Sequence, residues 1–319
     1  VNHSTPDHVW IIRRLARDAW ARRRESGWKS LLASMVRSTR VLALVNAHQR
    51  FLALDVSRHY LAADWNTNLF HHLSQRAYLI EGLSMRQRID YLYRHYVFED
   101  QTFRAAYKRK VYLEDGLTLW ETREGGCHTA ITLSLSPRWA PEGELSVCLL
   151  VNGARLHCLS FNWTEGGTVG MGPQMLPFIG RNQGASSQAQ HALERFNACF
   201  PNNSPSFFCF SAVQGLAEAL GMSSVVGIKG KANICFDHGA AKSFINAYDR
   251  FWASLNGQEI AEHAYLISLP FYHKPLSEIA AKHRKRAAMR RTHWESISRS
   301  ARGTLQSYLL ASDRVLLAA

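Results

Sequence analysis

Leu145-Ser-Val-Cys-Leu-Leu-Val-Asn-Gly-Ala-Arg-Leu-His-Cys-Leu-Ser-Phe-Asn162 decides the fold. Two short apolar runs, Leu145–Val151 and Arg155–Asn162, flank Asn152-Gly153, the dipeptide best suited to a two-residue hairpin turn. Upstream, Lys110–Leu113, Leu117–Glu121 and Thr129–Leu135 repeat the pattern of short apolar runs between glycine-bearing turns, which predicts an antiparallel meander. Downstream, a loop from Thr164 to Gly172 precedes Pro177–Ile179, a further strand leading into Gly180-Arg-Asn-Gln-Gly-Ala185. Helical segments then alternate with strands: helices over Gln188–Phe200 and Ser206–Leu220, the second ended by Gly221, a strand at Val225–Ile228, and helical character over Ala240–Leu255. Tyr265–Leu269 reads as a last strand closed by Pro270.

The first third of the chain is mainly helical. From Asp7 to Arg24, Val9, Ile12, Ala16, Ala19 and Trp20 recur at roughly helical spacing among arginines, predicting a basic amphipathic helix. A second helical stretch runs from Trp28 to Leu54, with Leu32, Met35, Val36 and Leu42 as core candidates, and a third from Ser84, which can cap it, to about Phe103. The reading is an α+β protein: a helical N-terminal region over 1–108, a mixed, mainly antiparallel sheet body over 109–273, and a basic C-terminal helix over 274–319 packed on the body.

With 319 residues, 46% hydrophobic and 11% aromatic, the chain is long enough to bury a sizeable core. It has no uninterrupted apolar run of about 18 residues, the length needed to cross a bilayer. The first 30 residues hold six arginines with no following hydrophobic region, so a cytoplasmic location is expected. Six dispersed cysteines form no Cys-x-x-Cys pair and read as reduced, buried thiols. The 15 histidines are scattered and include no His-Glu-x-x-His, so no metal site is expected. Nor is there a nucleophile elbow, a Walker loop or a dinucleotide fingerprint, which argues against familiar hydrolases and NTPases. Charge is partitioned: residues 1–40 carry nine Lys/Arg and three Asp/Glu, residues 274–302 nine and two, so these ends account for the whole net charge of +13.

Several blocks occur in a distinctive order. They are Leu156-His-Cys-Leu-Ser-Phe-Asn-Trp163, Ile179-Gly-Arg-Asn-Gln-Gly184, Leu216-Ala-Glu-Ala-Leu-Gly221 before Val225-Val-Gly-Ile228, and Tyr248-Asp-Arg-Phe-Trp252. Leu269-Pro270 follows, then Lys282-His-Arg-Lys-Arg286 with Arg290 and Arg291. The series resembles the VirK/YbjX family of bacterial proteins, and with Arg88 and His95-Tyr96 the likeness covers roughly residues 70–297. The resemblance implies relatives associated with virulence, resistance to antimicrobial peptides and maintenance of the envelope, with no settled activity. It also implies a link to a β-carboline synthase, which condenses tryptophan with an aldehyde using a carboxylate for proton transfer.

Arg88, His95 and Glu99 fall at i, i+7 and i+11, close to one helix face, and with Tyr96 form a polar constellation suited to acid–base work if that face lines a pocket. The alternative is a salt-bridged structural face. Arg181-Asn-Gln-Gly-Ala185 resembles the turn with which GNAT acyltransferases hold the pyrophosphate of acyl-CoA, although Ser186 stands where glycine or alanine is expected. That reading makes Arg181, Gln183 and Gly184 ligand-binding and acyl-CoA the one cofactor to consider; the alternative is a tight turn. Tyr248, Phe251 and Trp252 suit an aromatic core cluster or a stacking wall, with Asp249 a structural carboxylate or pocket wall. Lys282, Arg284, Lys285, Arg286, Arg290 and Arg291 surround a stripe of Ala280, Ala287, Trp294 and Ile297. Such a helix docks on its own domain or lies peripherally on the anionic inner membrane; nucleic acid is disfavoured because no recognised binding fold accompanies the charge. The function expected is an envelope-supporting factor acting on a small molecule or lipid precursor, with a condensing or acyl-transferring enzyme and a non-catalytic adaptor as rivals.

Overall fold

The Asn152-Gly153 turn forms, with φ of 49° and 80°, and joins strands β3 (Leu145–Val151) and β4 (Ala154–Glu165). In the computed structural model, residues 42–61, 77–137, 141–184 and 189–310 are described, together with scattered positions between 9 and 39. Strands β1 (Leu117–Glu124), β2 (Cys127–Leu135), β3, β4 and β5 (Met175–Gly184) form the antiparallel meander. The sheet continues through β6 (Ser224–Ile228), parallel to β5, then β8 (Ala264–Ser268) and the edge strand β7 (Gln258–Ala261), in the order β1-β2-β3-β4-β5-β6-β8-β7.

A parallel neighbour demands a crossover. Helices α5 (Gln190–Cys199) and α6 (Pro205–Ala219) provide it. Pro205 occupies the first turn of α6, where its missing N–H costs nothing. The far end closes at Gly221: Gly221 N–H donates to Glu218 O and Met222 N–H to Ala217 O, a Schellman motif. Phe208, Phe210, Val213 and Leu216 of α6 are fully buried, each contributing about 2 kcal/mol by leaving water. Trp120 of β1 meets Phe208 and Phe200, which ties the sheet to the crossover. Helix α9 (Ala281–Gln306) packs along α6 through Trp294 stacked on Phe207 at 4.9 Å, and Ser300 Oγ donates to Leu119 O of β1.

The chain divides into two compact units, 1–78 with 82–101, and 79–81 with 102–319. The first holds α1 (Val45–Leu52), α2 (Asp55–His59) and all but the last residue of α3 (Met85–Thr102), and Phe51 of α1 lies edge-on to Tyr96 of α3 at 5.5 Å. Ser84 and Gln87 make a reciprocal capping box at the start of α3: Gln87 N–H reaches Ser84 Oγ, and Ser84 N–H donates to Gln87 Oε1.

Several expectations need correction. Lys110–Leu113 is not a strand: its first three residues end helix α4 (Ala105–Tyr112), where Tyr107, Lys108, Val111 and Tyr112 are buried at helical spacing. The helix over Ala240–Leu255 breaks at Tyr248 into α7 (Ala241–Ala247) and α8 (Asp249–Ser254). The tail helix starts at Ala281, after a short 3-10 turn at Leu276–Glu278, and Ala280 is exposed; its stripe is Ala287, Trp294, Ile297, Ala301 and Leu305. Near the N-terminus, among the described residues, Ile11 and Leu15 are buried one turn apart, whereas Val9, Ile12, Trp20 and Leu32 are exposed; Met35 and Val36 lie outside the described residues. All six cysteines are free thiols, with Cys235 exposed.

Candidate functional site

Between β2 and β3 the chain passes through Pro141-Glu142-Gly143, and Glu142 there is almost wholly buried, at 1% exposure. Burying a carboxyl is costly unless donors surround it. Arg181 Nη1 of β5 donates to Glu142 Oε2 at 3.0 Å, while Gln183 Nε2 and Asn233 Nδ2 both approach Oε1 at 3.4 Å. Asn233 Nδ2 also faces Gly180 O at 2.7 Å and Tyr248 Oη at 3.1 Å; with two hydrogens it satisfies these nearer acceptors first. Its Oδ1 accepts from Cys235 N–H, which fixes the amide orientation.

Strand pairing brings this about. Ser160 pairs with Arg181 but Phe161 pairs with Ile179, so Gly180 is an extra residue, a β-bulge that re-aims β5. The segment 79–81 braces the region from the other side: Leu79 N–H donates to Pro141 O and Glu81 N–H to Ala232 O. Tyr248, at the break between α7 and α8, brings its hydroxyl to Gln183 Nε2 at 3.4 Å and to the Asn182 N–H at 3.3 Å. Phe244 stacks on Tyr248 at 5.8 Å and Phe236 meets Phe244 edge-on; both are half-buried, an aromatic wall beside the polar group.

On the other face of β5, Asn182 Nδ2 donates to Ala247 O, so its Oδ1 is the acceptor for His157 Nε2 at 2.7 Å, and the proton of His157 resides on Nε2. Burial lowers the His157 pKa to about 4, leaving a neutral ring. Burial raises the Glu142 carboxyl above its ordinary range, against the opposing charge of Arg181 and the bonds from Asn233 and Arg181. Burial, then the Glu142 charge, pushes up the Tyr248 phenol and also the Cys235 thiol, which therefore stay protonated. A carboxyl of raised proton affinity beside an arginine and a protonated phenol suits proton transfer to a polar ligand, and the protonated thiol disfavours thiolate chemistry.

The residues expected from sequence separate into groups. Arg181 and Gln183 join the Glu142 cluster. Gly184 ends β5 opposite His157, and Arg181–Gly184 are strand residues paired with β4, so these four positions make no helix-terminal turn for a pyrophosphate; Ala185 and Ser186 lie outside the described residues. Trp252 is a core residue rather than a ligand wall: it is fully buried, its Nε1 donates to Ile228 O, and its ring fills the space over Gly227. Asp249 is structural, accepting from Gly230 N–H at 3.1 Å and from Tyr265 Oη at 3.5 Å. Arg88, His95, Tyr96 and Glu99 lie on α3 in the helical unit, with His95, Tyr96 and Glu99 fully buried and Arg88 half-buried. Burial lowers the His95 pKa to about 3.

Glu142, Asn233 and the hydroxyl role of Tyr248 have no sequence signature of their own. A proline and a glycine flanking a carboxylate in a loop were the one available hint. Among the described residues no group of three or more His, Cys, Asp and Glu side chains could hold a metal ion, and no helix is long and apolar enough to cross a membrane. A family model described as a protein of unknown function, DUF535, matches residues 22–301. No curated protein and no solved structure matches the chain.

Proposed function

The chain belongs to the DUF535 family, a family of proteins of unknown function, and from that premise we propose that it is a VirK/YbjX-type factor supporting the bacterial envelope through chemistry on a small polar molecule. One observation carries the reading. The blocks that give the VirK/YbjX likeness, around 156–163, 179–184 and 248–252, supply His157, Arg181, Asn182, Gln183 and Tyr248, and these bond to one another and to Glu142. Arg181 and Gln183 reach the buried carboxyl directly, Tyr248 lies beside it through Gln183, and His157 bonds to Asn182 on the opposite face of the same strand. Glu142 is the acid–base group in this reading, Arg181 holds it and presents its remaining nitrogens to an anionic or carbonyl oxygen, and Gln183 and Tyr248 orient the ligand. A Pictet-Spengler-type condensation, which needs a carboxyl to move protons, is within this chemistry.

Glu142→Gln tests it, since the amide keeps size and hydrogen bonding but carries no exchangeable acid. In a bacterium lacking its own copy and sensitised to a cationic antimicrobial peptide, the wild-type chain restores resistance and Glu142→Gln does not, while both accumulate equally. Rescue by Glu142→Gln together with failure by Glu99→Gln would move the chemistry to the α3 face. Thermal-shift screening against CoA thioesters, amino acids and lipid headgroups then identifies the ligand class as the one whose stabilisation Arg181→Gln removes.

A further inference from the structure

The block Lys282–Arg291 forms the first three turns of α9 and plays no part in the Glu142 cluster. Lys282, Arg284, Lys285 and Arg286 are all exposed, the helix start at Ala280 has no side-chain cap, and its first turn holds no acidic residue. Cations at the positive end of a helix dipole are unfavourable by themselves. Arg284 offsets part of this by clamping Ile279 O and Ser277 O, and Arg286 donates to His283 Nδ1 at 2.7 Å.

Further along, the helix meets segment 271–275. Arg291 donates to Lys274 O, the Arg290 guanidinium lies 5.7 Å from the centre of the Trp294 ring, and the His273 ring lies 6.0 Å from it. Trp294 is only 8% exposed. Among the described residues Trp294 Nε1, Arg290 Nε and His273 Nδ1 are buried and have no hydrogen-bond partner. Indole and guanidinium nitrogens donate in every accessible protonation state, and a buried donor left unmade costs about 1–3 kcal/mol. Two such donors, Trp294 Nε1 and Arg290 Nε, on side chains that touch one another, point to an acceptor that completes them, and His273 Nδ1 beside them takes either role. Arg290 and Arg291 supply positive charge, and the acid that faces His273, Glu295, is exposed. Tyr272 and Met289, each the chain neighbour of a cluster residue, are about half exposed and add an apolar rim.

We infer that α9 and segment 271–275 form an oxyanion site for a phosphate ester, with Arg290, Arg291 and Trp294 Nε1 as donors and Lys282–Arg286 as the basic approach. The phosphate belongs either to a soluble ester or to a lipid headgroup, and two arms separate these sources. In the first, inorganic phosphate is titrated into the full chain by calorimetry at constant ionic strength, with chloride as reference. Phosphate binds; Trp294→Phe, which keeps the stacked ring and deletes one N–H, weakens binding about tenfold, the worth of one charge-assisted hydrogen bond. Arg290→Gln does likewise, and Arg302→Gln, at the exposed far end of the helix, leaves the affinity unchanged. In the second arm the chain is sedimented with phosphatidylcholine vesicles with and without phosphatidylglycerol. Capture by the anionic vesicles that Trp294→Phe abolishes assigns the site to a lipid headgroup, and phosphate binding without capture assigns it to a soluble ester. Absence of both kinds of binding, or binding that Trp294→Phe and Arg290→Gln leave unaltered, overturns the site.

Discussion

The main-chain carbonyl of Glu142 passes so close to the α-carbon of Gly180 that a Cβ there would overlap its oxygen. The bulge at Gly180 and the loop carrying the acid are therefore one unit. Gly180→Ala is expected to push the 141–143 loop away and break the Glu142–Arg181 pair, at a cost of about 1–3 kcal/mol from overpacking. A lowered urea midpoint with loss of ligand-induced stabilisation checks this. A Gly180→Ala variant as stable as wild type would separate bulge and loop.

Arg181 shares a short ion pair with a carboxyl that has almost no water. Arg181→Ala leaves Glu142 without its partner and is expected to cost about 2–3 kcal/mol, below the usual figure for a buried pair because Arg181 keeps 24% of its side-chain surface in solvent. Replacing both residues, Glu142→Gln with Arg181→Gln, removes the charge along with its partner. The double variant is expected to be more stable than Arg181→Ala alone, a comparison that denaturant unfolding makes directly.

Stability should also depend on pH through the buried histidines. The folded pKa is about 4 for His157 and about 3 for His95, both below the unfolded value of about 6.5, so the unfolded chain binds more protons in that interval. Their contribution is complete above about pH 6.5 and is lost as pH falls towards 4, by on the order of 3 kcal/mol for His157 alone. Glu142, whose carboxyl is raised, acts in the opposite sense, since its contribution is lost as pH rises through its folded pKa. His157→Gln, which retains a donor for Asn182, should flatten the fall in urea midpoint between about pH 6.5 and 4.5.

Local chemistry made much of the fold legible. The Asn152-Gly153 turn, the Ser84 cap and the Gly221 helix end are set by residues a few positions apart, and all three form where the sequence places them. Gly180 and Gly184 look like turn punctuation in sequence but serve other ends: one relieves a clash in a bulge and the other ends a strand, so β5 runs on where the sequence suggests a phosphate-type turn. Strand β7 has no period-two signal, because Gln258-Glu-Ile-Ala261 runs from polar to apolar without alternation on a sheet edge. The site was legible only in part. Arg181 and Gln183 stood out, but Glu142 meets Arg181 across 39 residues and Asn233 across 91, and no periodicity encodes such contacts.

Helix α2 begins at Asp55 with no cap from its own sequence, because Leu54 offers no side-chain acceptor. Asp100, near the end of α3, supplies one instead: Asp55 N–H donates to its Oδ2 at 2.7 Å and Val56 N–H to its Oδ1 at 3.0 Å. A carboxylate at a helix start satisfies orphan amides and opposes the dipole together. Asp100→Ala should therefore cost about 1 kcal/mol. The loss should be local, read as faster amide exchange at Asp55 and Val56, while Asp100→Asn, which keeps one acceptor and loses the charge, falls between. Unchanged exchange in Asp100→Ala would mean that contacts other than the Asp100 carboxylate hold the start of α2.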